Sequence, residues 1–291
     1  MAEQPIPQTV MKDASNNPLA AYFRQPKIYI RLPSEGKFYP QDALDRSVNG
    51  EYAVYAMTAK DELMFKTPDA LMNGQATVEV IKSCIPAIKK PWFMPSIDVD
   101  AVLIAIRIAT YGEKMDVGAN CPSCSHANDY QLNLVSYIEN LAHFHYEDKI
   151  QIGPLTVHIK PYTYQEATKA ALKSLEQQKI FAIVNDENLS DETKIEKFGE
   201  SFVKLTELTV DIVANSIIQI DTPDGSVNDK KMILEFIQNA PKEVFSTIND
   251  HVTSMKDRIE LKVNDVECGE CGHKFDMPVT MDQASFFGKG S

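Results

Sequence analysis

Apolar and polar positions change their period several times along the chain, and each change marks a candidate element. The run KIYIRL from Lys27 is aromatic and β-branched and is closed by Pro33 and a Ser-Glu-Gly turn, which predicts an anchoring strand. A second strand is expected in EYAVYAM from Glu51, after the turn signal Asn49-Gly50. Helical stretches follow in TAKDELMF, with Thr58 as its cap and Glu62 in its first turn, and after Thr67-Pro68 in DALMNGQATVEVIKSCI. Pro86, Pro91 and Pro95 break the chain around Trp92. Ser96 then offers a cap for SIDVDAVLIAIRIATYG, where Val99, Val102, Leu103, Ile104, Ile106 and Ile108 cover nearly every face. Such a helix is buried all round, and Gly112 stops it.

The second half is patterned differently. HFHYEDKIQIGPLTVHIKPYTY reads as a hairpin turned at Gly153-Pro154, with His143 and His145 sharing a strand face and His158 on the solvent side. From Pro161 to Arg258 the period is largely helical. Thr163 and Glu166 form a capping-box pattern ahead of an alanine-rich helix to about Gln178. Leu189-Ser190-Asp191 opens a longer helix, along which Ile195, Phe198, Phe202, Leu205, Leu208, Ile212 and Val213 keep helical spacing. DTPDGSVNDK is a turn cluster that suits a projecting hairpin tip, and Pro241 suits a first helical turn. After it Phe245, Ile248, Val252, Met255 and Ile259 form a stripe that suits core burial better than a partner helix. Residues 1–18 are polar and proline-bearing and predict a flexible arm.

Composition narrows the functional classes. With 291 residues and 44% hydrophobic content the chain can bury a sizeable core. A net charge of −12 argues against a general nucleic-acid or membrane-surface binder. The start of the chain lacks the basic and apolar runs of a signal peptide, and no apolar stretch approaches the length of a membrane span, so a soluble intracellular protein is expected. Gly-rich phosphate loops, a G-x-S-x-G elbow, H-E-x-x-H and a dinucleotide fingerprint are all missing, and no enzyme is expected. The closest approaches to paired carboxylates, Asp61-Glu62 and Asp98-Asp100, read as helix-start charges.

Candidate chemistry lies in the cysteines. CPSC at Cys121 and Cys124 and CGEC at Cys268 and Cys271 occupy the same local frame: alternation precedes each pair, a histidine follows the first cysteine by five places (His126, His273), and alternation resumes. Two residues between cysteines let a tight turn aim both sulfurs at one ion, so the pattern predicts a duplicated β-knuckle-β unit donating four thiolates to one structural zinc per chain. Gly272 suits such a turn, whereas Ser125 stands in its place in the first knuckle. The pairs are 143 residues apart, against roughly 15 to 20 in an ordinary ribbon. Closing the longer loop costs only about 2 kcal/mol more, because the cost grows logarithmically. Redox pairs, disulfides and two independent metal sites are the competing readings, as is His126 or His273 replacing a cysteine. The fifth cysteine, Cys84, reads as a small buried hydrophobe.

These elements predict an α+β fold, with a mixed first half, a split zinc-ribbon-like four-cysteine module and a large helical insertion. The expected divisions are an arm at 1–18, an α+β domain at 19–160 holding the first knuckle, helices at 161–258, and at 259–291 the second knuckle with a C-terminal strand. Zinc ribbons often contact nucleic acid, which makes a nucleic-acid-binding or regulatory module the alternative. Against it, Glu113, Asp116, Asp129, Glu267, Glu270 and Asp276 outnumber Lys114 and Lys274 around the sulfurs.

Three long phrases, PLAAYFRQPKIYIRLPSEGKFYP, YAMTAKDELMFKTPDALMNGQATVEVIKSCIPAIKKPW and MPSIDVDAVLIAIRIATYGEKMDV running into CPSC, resemble the baseplate hub proteins of T-even-type contractile-tailed bacteriophages. The resemblance is strong over Pro18 to Asn133, moderate over the hairpin ending IKPYTY, and one of layout beyond. It implies a non-enzymatic viral protein of the baseplate hub, either a resident subunit or an assembly chaperone. The implied partners are other tail or hub proteins, the tape-measure protein among them, with no small-molecule substrate. The implied location is the host cytoplasm during assembly or the virion tail.

Overall fold

The computed structural model describes residues 19, 22–66, 74–141, 143–172, 190–259, 261–279 and 286–287. Their fold is α+β, built on four small antiparallel sheets. In the first, β1 (Pro26–Arg31) pairs with β2 (Glu51–Tyr55), placing Tyr29 opposite Ala53 and Ile30 opposite Tyr52. Period-2 alternation turns Ile30, Tyr52 and Val54 to the core and leaves Tyr29 outside. Helix α1 (Ala59–Phe65) opens on a capping box whose closing carboxylate is Asp61 rather than the neighbouring Glu62. Asp61 also accepts the Ser83 hydroxyl at 2.9 Å and faces Arg24 at 3.5 Å, while Arg24 donates to the Ala56 carbonyl. The start of the described chain is thereby tied to the end of α2 (Gln75–Cys84). Burial pushes the Cys84 thiol up to about 12, the inert core role expected of it.

At the centre lies α3 (Ser96–Tyr111), buried on almost every face from Ile97 to Ala109. Its N-cap is Pro95, not the expected Ser96, and no side chain caps it. The Ser96 N–H that a cap would have served instead donates to the Tyr162 carbonyl at 2.8 Å. Asp98 lies in the first turn, as expected of a helix-start charge, but is fully buried. It accepts the Ser34 N–H at 2.7 Å, the Ser34 hydroxyl at 2.6 Å and the Tyr39 hydroxyl at 2.9 Å, so it fastens the turn after β1 to the helix. That turn holds two non-glycine residues at positive φ, Glu35 and Phe38, a conformation that needs such an anchor.

Beyond α3 come β3 (Lys114–Asn120), β4 (Ala127–Asn133) and α4 (Leu134–Leu141). The chain then enters a four-stranded sheet in the order β5 (Lys149–Ile152), β6 (Leu155–Ile159), β7 (Ile217–Thr222), β8 (Gly225–Val227). The hairpin turned at Gly153-Pro154 is present, but His143 and His145 precede its first strand and share no strand face. His158 lies on β6, where its Nε2 meets Asp221 Oδ2 at 2.6 Å. Because β6 pairs with β7, this sheet straddles the expected division at residue 160.

Helices α5 (Asp191–Ser216), α6 (Lys230–Asn239) and α7 (Lys242–Asp257) supply the rest of that unit, whose core gathers Val157, Ile159, Val213, Ile217, Ile220, Ile233, Ile237 and Ile248. The capping box at Thr163 and Glu166 opens a helix over 164–172. Its continuation to Gln178, the arm at 1–18, and the side chains of Ile195, Phe198, Phe202 and Leu205 lie outside the described residues. The stripe on α7 is core: Ile248, Val252, Met255 and Ile259 are all buried. Met255 and Ile259 meet Ile97 and Ala101 of α3, which joins the two halves.

Strands β9 (Lys262–Glu267) and β10 (Lys274–Pro278) form the last hairpin, and Leu261, Val266 and Met277 pack into the same core as α3. Phe287 stacks on Phe65 of α1 with ring centroids 4.5 Å apart. The buried Arg107 of α3 donates to the Phe286 carbonyl at 2.9 Å, and Tyr111 donates to the Phe287 carbonyl at 3.0 Å. The expected C-terminal strand, the alternating run from Met277, overlaps β10, and its part from residue 280 on lies outside the described residues.

Candidate functional site: four converging cysteines

The two CxxC segments are the tips of the β3–β4 and β9–β10 hairpins, and they fold alike. In each, the first cysteine's N–H donates to the carbonyl of the histidine five places on: Cys121 to His126 at 2.9 Å, Cys268 to His273 at 3.0 Å. In each, the residue after the second cysteine donates back to the first cysteine's carbonyl: Ser125 to Cys121 at 2.8 Å, Gly272 to Cys268 at 2.9 Å. Both donors stand in the left-handed region, Ser125 at φ 60 and Gly272 at φ 68. The substitution of Ser for Gly therefore leaves the backbone unchanged and adds a steric cost. Ser125→Gly is expected to stabilise the protein by about 1 kcal/mol and Gly272→Ala to destabilise it by about 1 kcal/mol, read from urea unfolding midpoints.

All four sulfurs lie within 4.8 Å of one another. The nearest neighbours belong to different knuckles, Cys121 to Cys271 at 3.7 Å and Cys124 to Cys268 at 3.6 Å. A tetrahedron with metal–sulfur bonds of about 2.3 Å has edges of about 3.8 Å, so these two distances and the 4.8 Å spread are compatible with one ion held by all four sulfurs. All five cysteines are free, and the sulfurs are well beyond the roughly 2.05 Å of a disulfide. Cys121 and Cys268 are buried while Cys124 and Cys271 are exposed, so the cluster has one side in the protein and one at the surface. Among the described residues the cluster holds neither His126 nor His273. Their backbone carbonyls shape the knuckles instead, and the His273 ring lies parallel to Phe275 with centroids 6.3 Å apart.

The thiols are electrostatically unequal. The Cys271 N–H, then the Glu270 N–H, the Asn128 amide and the Cys124 thiol hold Cys268 down to about 6. The His126 N–H pulls Cys124 the same way, but Cys271, burial, Cys268 and Cys121 together push it up to about 12. The Cys268 thiolate forms readily, while Cys124, whose protonated thiol is held by the sulfurs around it, resists ionisation. A dication at the centre of the four sulfurs would favour the thiolate form of each.

Two polar residues absent from the expected set join the knuckles. Tyr130 on β4 donates its hydroxyl to the Glu267 carbonyl at 3.1 Å. Asn128 accepts the Gly269 N–H at 2.9 Å and donates to the His126 carbonyl at 2.9 Å. Asn128 stands seven places after Cys121, where the second knuckle has Phe275 seven after Cys268. That break in the internal duplication was the available signal.

A family description covers the whole of this arrangement, from β1 through the second knuckle to the C-terminal phenylalanines: T4 bacteriophage base plate protein, matched over residues 26–288. The chain belongs to this family. Comparison with curated proteins and with solved structures found no match. No helix among the described residues is long and apolar enough to cross a membrane. One constellation with enzyme-like residue types does occur, Ser226, Asp221 and His158. The serine and the histidine there bond the same carboxylate, at 2.5 Å and 2.6 Å, so the histidine is not placed to activate the serine.

Proposed function

We propose that this base plate protein works without catalysis in building the baseplate hub, as a hub subunit or an assembly chaperone, and that Cys121, Cys124, Cys268 and Cys271 hold one structural zinc per chain. The observation that carries the zinc reading is the convergence of four sulfurs within 4.8 Å of one another, drawn from knuckles separated by 143 residues. Four thiolates leave a zinc ion no open position for a substrate or water, so the metal supplies stability, not Lewis-acid chemistry. Its work is to fasten β3–β4 to β9–β10. The hub reading rests on the phrases from Pro18 to Asn133 and on membership of the family.

Partners are other tail or hub proteins, the tape-measure protein among them, met in the host cytoplasm during assembly or in the finished tail. The stripe on α7 does not serve them, because it is buried. Exposed aromatic residues at the start of the described chain, Tyr22 at 85%, Phe23 at 55% and Tyr29 at 59%, are better placed. Around the sulfurs Glu267, Glu270, Asp129 and Asp276 are exposed and negative, which disfavours a nucleic-acid-binding ribbon.

Mass spectrometry of finished particles against assembly lysates tests the hub role. Stoichiometric copies in mature tails are the mark of a subunit, and presence in lysates alone is the mark of a chaperone. Absence from both hub intermediates and particles overturns the reading.

A further inference from the structure

Asn128 occupies a position unlike any other polar residue of the four-cysteine site. It is buried on β4 with 8% of its surface exposed, one residue beyond the start of the strand that leaves the first knuckle. Its Nδ2 donates to the His126 carbonyl at 2.9 Å and approaches Cys268 Sγ at 3.6 Å, and its Oδ1 accepts the Gly269 N–H at 2.9 Å. One side chain of the first knuckle thus contacts both a sulfur and the backbone of the second. The two knuckles share their backbone hydrogen bonds, yet the matching place in the second is taken by Phe275, which offers no donor. The first knuckle therefore has no reciprocal side-chain donor from that position. Cys121 takes instead the N–H of Ser123 within its own turn, at 3.4 Å.

We infer that Asn128 is a positioning residue for the metal: its amide N–H stabilises the Cys268 thiolate from across the interface, and its carbonyl oxygen holds the second knuckle in register. The inference rests on the metal reading above. An N–H donor to a metal-bound sulfur spreads the thiolate's charge and orients its lone pairs, and losing such a partner typically costs roughly 10- to 100-fold in metal affinity. A purely structural strut has a different signature, since it needs only the bond between Oδ1 and Gly269.

Asn128→Asp separates the two roles. It keeps an oxygen for the Gly269 N–H, and it replaces the donor with a carboxylate oxygen facing a thiolate and the His126 carbonyl. Asn128→Ala removes both roles. The full-length protein is titrated with cobalt(II) in competition with a chromophoric chelator, and the thiolate-to-cobalt charge-transfer band is recorded. Both variants are expected to bind cobalt at least 10-fold more weakly than wild type, with a shifted charge-transfer band, and Asn128→Asp is expected to be no better than Asn128→Ala. In wild-type protein loaded with NMR-active cadmium, a scalar coupling is expected between the metal and the Asn128 side-chain amide. That measurement needs no variant to fold. Wild-type protein that takes up no cobalt overturns the metal reading and this inference with it. Wild-type protein that binds cobalt while Asn128→Asp matches its affinity and spectrum, or that shows no coupling to the Asn128 amide, overturns the role of Asn128 alone.

Discussion

Removing metal with a strong chelator is expected to lower the unfolding midpoint sharply and to open the β3–β4 and β9–β10 hairpins to hydrogen exchange before the rest of the chain. Structural zinc contributes on the order of 10 kcal/mol in small thiolate sites, far more than the roughly 2 kcal/mol charged for closing the long loop. The four sulfurs sit on hairpins that also bury Met115, Leu132, Val266 and Met277. The first protection lost should therefore be in residues 114–133 and 262–278, with loss in the core around α3 following, because these side chains belong to that same core. Cys268→Ser is expected to reproduce the effect, since a hydroxyl replaces the buried thiolate that collects the most donors. Unchanged stability in metal-free buffer, with all four thiols open to alkylation, would exclude the shared site.

Asp98→Asn is expected to gain stability relative to the wild type as pH rises, by about 3 kcal/mol in all. Burial pushes the Asp98 carboxyl from its ordinary range up to about 6, against the pull of its hydrogen bonds from Ser34 and Tyr39. Its folded pKa is thus raised above its unfolded value of about 3.9. The stabilisation carried by the protonated acid is complete below the unfolded pKa and is lost as pH rises through about 6. Wild type and Asp98→Asn should differ by a constant below about pH 4 and diverge in favour of Asn between there and about pH 7. Paired urea unfolding across that range measures the divergence, and parallel curves would mean that Asp98 ionises in the folded protein as freely as in the unfolded one.

Much of the fold was legible because it is local. The Thr163–Glu166 capping box, the strand at Lys27–Arg31, the buried helix after Pro95 and the turn at Gly153-Pro154 each depend on residues a few places apart. The knuckles were legible for the same reason: two cysteines, a turn residue and a histidine repeat at fixed offsets. β7 was not. Ile217 and Ile220 continue the helical spacing of α5 beyond Val213, and only pairing with Val157 and Ile159 makes that stretch a strand. The roles of Asp98, Arg107 and Asn128 were equally hidden, because their partners lie far away in sequence. Ser34 precedes Asp98 by 64 places, and Phe286 follows Arg107 by 179.

By itself the sequence determined which elements form and where the sulfurs would be offered, since periodicity, caps and turn chemistry act over one or two turns of chain. The repeated frame also predicted that both pairs of sulfurs would meet, and tertiary structure decided which are nearest across the knuckles, Cys121 to Cys271 and Cys124 to Cys268. Tertiary structure alone decided that the C-terminal phenylalanines close the core around α3 and that an asparagine from one knuckle reaches a cysteine of the other. The physical reason is that these contacts follow from how buried surfaces pack. Desolvation then sets the worth of each polar group, so Asp98, an ordinary helix-start acid by position, becomes the acid on which a turn is hung.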